Sequence, residues 1–310
     1  MRKLPEPPYN FNDVLKKCSD GMEQVNVKAN FLASKQYLIP FENQYRALGG
    51  AGHLCRFPKI TGINRNSVVV PGLTKSKLES LYTSNLRNLK KPARLIYDEL
   101  LASAKGRCPF CGEIGVPKNI DHFLPIAHFP QLSVLPLNLV PSCRDCNMGE
   151  KGDDYATAPR DQILHPYLDD DIFYTQQWVF ASYISNDIND PVNPGVVIYT
   201  AAPPDTWSLV DAQRAIKHFT DFDLASRYSA RAGDHLTDIV SQRNSFYEKN
   251  RESMSEDELK LEFIDTILEP VITGHLFENH WRKIMYKCLS QSRDFLQSET
   301  VDVFNTSKNL

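Results

Sequence analysis

Two cysteine pairs, Cys108-Pro-Phe-Cys111 and Cys143-Arg-Asp-Cys146, are separated by 31 residues, and between and just behind them lie Asp121-His122, Asn138 and Asn147. Each Cys-x-x-Cys turn offers two sulfurs to one side, so the pairs can converge on a single tetrahedral Zn2+. Gly112, directly after the first pair, supplies permissive backbone for such a turn. Four thiolates leave no coordination position for water, which makes the zinc structural; four unligated thiols and a redox pair are the alternatives. The neighbouring side chains suit another chemistry. An imidazole titrates near neutrality and can take a proton from water. A carboxylate oxygen and an amide oxygen, completed by water and phosphate oxygens, suit Mg2+ or Mn2+. Together these groups are a minimal set for hydrolysing a phosphodiester.

Such side chains need a frame. Asp121-His122-Phe-Leu-Pro125 follows a turn rich in Gly115, Pro117 and Asn119. Neighbours on a strand face opposite sides, so Asp121 and His122 can serve one site only at a distorted strand end, with which Pro125 is compatible. Asn147 directly follows the last cysteine, and residues 143–151 are expected to form the first turns of a helix laid across a hairpin. Lys151, one turn beyond Asn147, and Arg144 are candidate phosphate contacts. Lys105 and Arg107 join them at the end of a basic stretch, where eight cations face three anions between Leu73 and Arg107. Solvated lysines on ordinary helices are the alternative.

The stretch Cys108 to Gly152 closely resembles the HNH endonucleases, whose ββα-metal fold carries Asp-His on a hairpin and the last His or Asn on a helix. Asn147 stands where many members have His, so the stretch is similar to the HNN variant of a phage junction-resolving endonuclease with four zinc cysteines. The resemblance implies His122 as general base, Asp121 and Asn147 as ligands of the catalytic Mg2+ or Mn2+, and Asn138 as a brace for the loop that orients His122. It also implies 5′-phosphate and 3′-hydroxyl products. The flanks, from Leu95-Ile-Tyr97 to His165-Pro-Tyr167, resemble HNH proteins of Septu-type anti-phage systems, some attached to retrons. That implies an ATPase partner and a retron nucleoprotein.

The remaining chain sets the context. Its 310 residues are 42% hydrophobic and 24% charged with a net charge of −3, enough for a core but without the cation excess of a protein that binds nucleic acid through its overall field. No apolar run is long enough to cross a membrane and no signal peptide is evident, so a cytoplasmic protein with reduced thiols is expected. Residues 1–72 have no assigned role, 73–153 hold the nuclease module with its leading basic helices, and 154–310 are mainly helical and offer a partner docking surface. Helices are expected over 11–34, from Thr74, from Pro92 to Gly106, and over 211–231 with a candidate break near 221–223, 233–249, 255–268 and 275–296. Two strands, 178–184 and 196–200, are joined by the loop 185–195. His53 with Cys55, the run Asp169-Asp170-Asp171, His128, His275 and His280 fit packing or capping better than chemistry.

The expected fold class is therefore α+β, mostly helical around a central zinc-stabilised ββα-metal module. The expected function is a metal-dependent endonuclease on nucleic acid, DNA before RNA, serving anti-phage defence. A zinc-stabilised nucleic-acid-binding or scaffold subunit without cleavage is the competing class, and a hydrolase using an open zinc position conflicts with the all-sulfur ligand set.

Overall fold

Gly21 divides what the sequence pattern presents as one N-terminal helix. Helix α1 (Phe11–Asp20) starts on a capping box, with Asn10 accepting from Asp13, and ends where Gly21 N–H bonds back to Cys18 and Ser19. Lys91 then donates to the Gly21 carbonyl at 2.9 Å, and a Cβ there would press on Pro92 at 3.2 Å, so the turn is held from outside before α2 (Val25–Ser34) begins. The computed structural model describes residues 1–60, 62, 64–185 and 194–297, without the side chain of residue 150. Of the loop 185–195, residues 186–193 lie outside them.

The protein is α+β and mostly helical. Its contacts cluster into two units, Met1–Trp178 with Ala201–Leu224, and Val179–Thr200 with Ala225–Leu310. The first unit thus takes in the N-terminal region together with both cysteine pairs, and its boundary crosses the compositional one at 153.

Within the first unit, α3 (Pro40–Gly50) starts with proline in its first turn, and a short hairpin of β1 (Val68–Val70) and β2 (Leu73–Thr74) leads into α4 (Lys75–Ser80). Thr74 caps α4, as its side chain accepts from Lys77 N, and the chain continues in a wider winding through Leu86. Helix α5 (Arg94–Ser103) buries Ile96, Tyr97 and Leu100 and ends before Gly106, whose φ of 73° is the left-handed conformation of a helix stop. Strands β3 (Asn119–His122) and β4 (Leu139–Ser142) pair antiparallel against α5, with His122 opposite Leu139. The short α6 (Ile172–Thr175) and the longer α7 (Leu209–Asp221) complete the unit.

Polar groups in this core are tied together. Arg214 on α7 places its guanidinium 2.6 Å from Asp169, whose carboxylate also accepts from His165 N at 2.6 Å. The first of the three consecutive aspartates is thus half of a buried ion pair, whereas Asp170 accepts from Ile172 N at the start of α6 and Asp171 meets Lys3.

In the second unit, β5 (Val179–Ile184) pairs with β6 (Val196–Ala201). Beyond Asp223, whose φ of 45° breaks the helical path as anticipated near 221–223, α8 (Leu224–Asn250) runs on through Gly233 as one helix. The separate helices expected at 211–231 and 233–249 are therefore cut ten residues earlier, because an interior glycine costs only about 1 kcal/mol while Tyr228, Ala232, Leu236 and Ile239 keep one continuous buried face. The Ser255–Glu258 capping box opens α9 (Glu256–Phe263), and the winding passes Pro270 into α10 (Glu269–Ile272), since proline fits a first turn. Helix α11 (Trp281–Gln291) starts at His280, whose side chain accepts from Arg282 N at 3.1 Å, and α12 (Arg293–Leu296) follows.

Truncating Arg214 to alanine leaves the Asp169 carboxylate buried without its counter-charge, and we expect a loss of about 3–5 kcal/mol in urea denaturation. The double variant Arg214→Met, Asp169→Asn should recover a substantial part of it.

Candidate metal centre and catalytic cleft

The sulfur cluster is built from two turns that bond to each other. All four cysteines are buried, with their sulfurs within 4.8 Å of one another and Cys111 Sγ 4.0 Å from Cys143 Sγ. Tetrahedral zinc at a Zn–S distance of about 2.3 Å needs sulfurs about 3.8 Å apart, so a small contraction lets this set hold a zinc ion. Two backbone N–H groups point at sulfur, Gly115 N to Cys111 at 3.2 Å and Cys143 N to Cys108 at 3.4 Å. Hydrogen bonding among the four thiols pushes Cys111 and Cys143 toward thiolate and holds the protons on Cys108 and Cys146, which a bound metal would displace. Gly112 has a φ of 59°, as the tight turn requires. Gly115 is needed for a different reason, since a Cβ there would lie 2.5 Å from Cys143 Sγ.

His218 of α7 supports the first turn. Its Nε2 lies 2.8 Å from the Phe110 carbonyl and its Nδ1 accepts from Leu164 N at 3.3 Å, which makes it a neutral Nε2–H tautomer. Phe110 stacks on Phe222 with centroids 5.2 Å apart.

The hairpin brings the catalytic candidates to one cleft. Phe123 N bonds to Asn138 O at 2.8 Å, which sets the ladder so that Pro141 falls opposite Ile120 between hydrogen-bonded pairs, where its missing N–H costs nothing. The outward carbonyl of Ile120 accepts instead from Tyr82 OH at 2.9 Å. His122 is the last residue of β3, and at this strand end both it and Asp121 line a cleft of about 940 Å³ that Asn147 also lines. Asn147 comes from the helical segment Asp145–Lys151, which is wound wider than an α-helix, with Gly152 N bonding to Asn147 O at 3.0 Å.

His122 is held in one orientation. Its ring packs edge-on against Tyr82 at 4.5 Å, and Nε2 lies 2.8 Å from the Ser133 carbonyl. A carbonyl can only accept, so Nε2 carries the proton and Nδ1 keeps its lone pair. Burial lowers the pKa to about 4, so the ring is neutral at pH 7.

Asn138 is fully buried and clamps the chain just beyond His122. Its Oδ1 accepts from Leu124 N at 2.7 Å and from Tyr45 OH at 3.0 Å, while Nδ2 donates to Leu124 O at 3.0 Å. Tyr45 OH, having donated its proton, accepts from His165 Nε2 at 3.1 Å, and His165 N leads on to Asp169 and Arg214. A continuous buried chain of polar groups thus runs from α7 to the loop that follows His122. His165 stands in the flanking His165-Pro-Tyr167 motif, but its role, like those of Tyr45, Tyr82 and His218, escaped sequence reasoning because the partners lie far away along the chain.

Lys151 corrects an expectation. It is buried, 7% exposed, rather than projecting toward a phosphate. Its ammonium lies 3.1 Å from Asp121 Oδ2 and donates to the His122 carbonyl at 2.8 Å. The contact with Oδ2 lacks hydrogen-bond geometry, so that buried oxygen has no hydrogen-bond partner, and burial raises the Asp121 pKa against the pull of Lys151. Arg144, Lys105 and Arg107 are exposed and do not line the cleft; Arg107 pairs with Glu113 at 2.9 Å. The cations that line it are Arg65 and Arg87. Among the described residues, the four cysteines form the one metal-ligand cluster, and His53 with Cys55 does not join any.

Replacing Gly115 by alanine should displace Cys143 and lower the bound zinc measured by atomic absorption, with a stability loss of about 1–3 kcal/mol. Acid should also loosen the fold. Burial lowers the pKa values of His165 and His218 from 6.5 to about 3, so the unfolded chain takes up protons that the fold excludes. Their contribution is complete above pH 6.5 and is lost as the pH falls toward 3. The urea midpoint should fall across that window, and less steeply in His218→Gln.

No family model matches the chain and no solved structure matches it. Protein ea31 of Escherichia phage lambda is 45% identical over 300 residues, which span 96% of this chain and 99% of that protein. Similarity at that level and over that length establishes common descent: the chain belongs to the family of the phage lambda protein ea31.

Proposed function

We propose that this protein is a metal-dependent HNH-type endonuclease that hydrolyses phosphodiesters in nucleic acid, DNA before RNA. The observation that carries the reading is His122: a neutral imidazole with its proton committed to Ser133 O and its Nδ1 lone pair available, in a cleft shared with Asp121 and Asn147. In this reading β3, β4 and the segment Asp145–Lys151 are a ββα-metal module, and the sulfur cluster holds a structural Zn2+.

The donors suit a hard divalent ion, since Asp121 Oδ2 is a buried carboxylate oxygen that accepts no aligned hydrogen bond and Asn147 supplies a neutral amide oxygen. Asp121 and Asn147 would hold Mg2+ or Mn2+, which when bound supplies charge neutralisation at the phosphoryl group and the departing oxygen. The other work falls to side chains of this chain. His122 Nδ1 accepts a proton from the attacking water, and Tyr82 and the Ser133 carbonyl keep that lone pair in place. Asn138 fixes the loop behind it. Arg65 and Arg87, on the cleft wall, take the place of Lys151 as proposed phosphate contacts. The role proposed for cutting is defence against invading nucleic acid; because the relative is a phage protein, the invader proposed is a competing phage. An ATPase partner and a retron nucleoprotein belong to the same proposal and are tested by co-purification.

Plasmid cleavage in Mg2+ or Mn2+ should fall by a factor of about 10² to 10⁴ in His122→Ala, the usual cost of an essential base. Equal activity in the variant removes His122 as base. Binding of DNA without cleavage by the zinc-loaded wild type favours the non-cutting module instead.

A further inference from the structure

Lys151 occupies an unusual position for a cation. Its ammonium is buried against the carboxylate that faces the cleft, 3.1 Å from Asp121 Oδ2, and a hydrogen bond of 2.8 Å to the His122 carbonyl holds it there. Both side chains are less than 9% exposed, so solvent screens little of the attraction. The backbone fixes the arrangement, because Lys151 ends the same widely wound segment that carries Asn147 and Gly152 closes it with a φ of 52°. The lysine lines a second cavity, of about 620 Å³, and is not among the residues that line the cleft. It pairs with the carboxylate by charge rather than by an aligned hydrogen bond, so Oδ2 accepts no hydrogen bond of regular geometry.

A fixed positive charge at this distance has two consequences. It makes a buried carboxylate tolerable before any ion arrives, and it repels a divalent cation that comes to the same oxygens. We propose that Lys151 is a built-in counter-ion for Asp121, which stabilises the ion-free fold and weakens divalent-ion binding until the negative charge of a phosphodiester enters the cleft. The inference rests on the reading of Asp121 as a metal ligand. Its effect is cooperative loading: phosphate offsets the lysine charge, so ion and nucleic acid bind better together than apart. Arg65 and Arg87 also line the cleft and add to the attraction of the phosphate, while Glu79 and Asp153 on the same lining offset their charge toward a lone cation.

The test is Mn2+ binding to the zinc-loaded full chain, followed by electron paramagnetic resonance of free Mn2+, with thermal unfolding of the same samples. Lys151→Met should bind Mn2+ at least tenfold more tightly than wild type. Its melting temperature without Mn2+ should fall below the wild-type value and recover when Mn2+ is added. Lys151→Arg, which keeps the charge, should retain the weak wild-type affinity, and Asp121→Asn should lose the site. Equal or weaker binding by Lys151→Met, with Asp121-dependent binding in wild type, overturns the counter-ion role and leaves the metal site standing. Absence of Asp121-dependent binding in every variant overturns the metal site and the inference together.

Discussion

Four thiols whose sulfurs all lie within 4.8 Å of one another must share either protons or a cation, and the set could hold a zinc ion. Backbone N–H groups point at two of the sulfurs, Gly115 leaves room for Cys143, and His218 holds the Phe110 carbonyl from outside. Cys143 directly follows β4 and Cys146 lies within the segment that carries Asn147, while Cys108 and Cys111 end the approach from α5. An ion bound there, contributing on the order of 10 kcal/mol, would therefore fix the helical segment relative to the hairpin. The cleft is lined from both sides of that junction, by Asp121 and His122 of the hairpin and by Asn147 of the segment.

A second frame meets the first at His122. The buried chain from Arg214 through Asp169, His165 and Tyr45 ends on Asn138, which grips Leu124 with both ends of its amide. Such a network stabilises the fold only when every member is satisfied, and then it specifies one arrangement. Here it specifies the path of the loop that returns Ser133 O to His122. Sulfur on one side and hydrogen bonds on the other leave the imidazole little freedom, which the proposed role of base requires if the lone pair is to meet water in a fixed direction.

What the sequence revealed depended on whether the information was local. The two cysteine pairs, the strand end at Asp121-His122, the Thr74 and Ser255 caps and the break at Asp223 are written in spacing and in turn chemistry. Lys151 was misjudged because burial of a lysine is decided by a partner thirty residues away, Asp121, and by the wide winding of its own segment, neither of which composition reveals. The cleft cations show the same limit. Arg65 lies outside the basic stretch yet faces the cleft, whereas Lys105 and Arg107 lie inside the stretch and face elsewhere. Gly21 and Gly233 look alike in a helical pattern, yet one ends a helix because Lys91 and Pro92 close on it and the other is passed through.

The central claim is that one cleft holds a base beside a divalent-ion site and that a separate all-sulfur site supports it. Anomalous diffraction from crystals of the full chain soaked in concentrated Mn2+, with data at the zinc and manganese edges, addresses it directly. The account predicts zinc among Cys108, Cys111, Cys143 and Cys146, and manganese within about 2.2 Å of oxygens of Asp121 and Asn147. Manganese confined to other sites, with Lys151 still seated on Asp121, would contradict it.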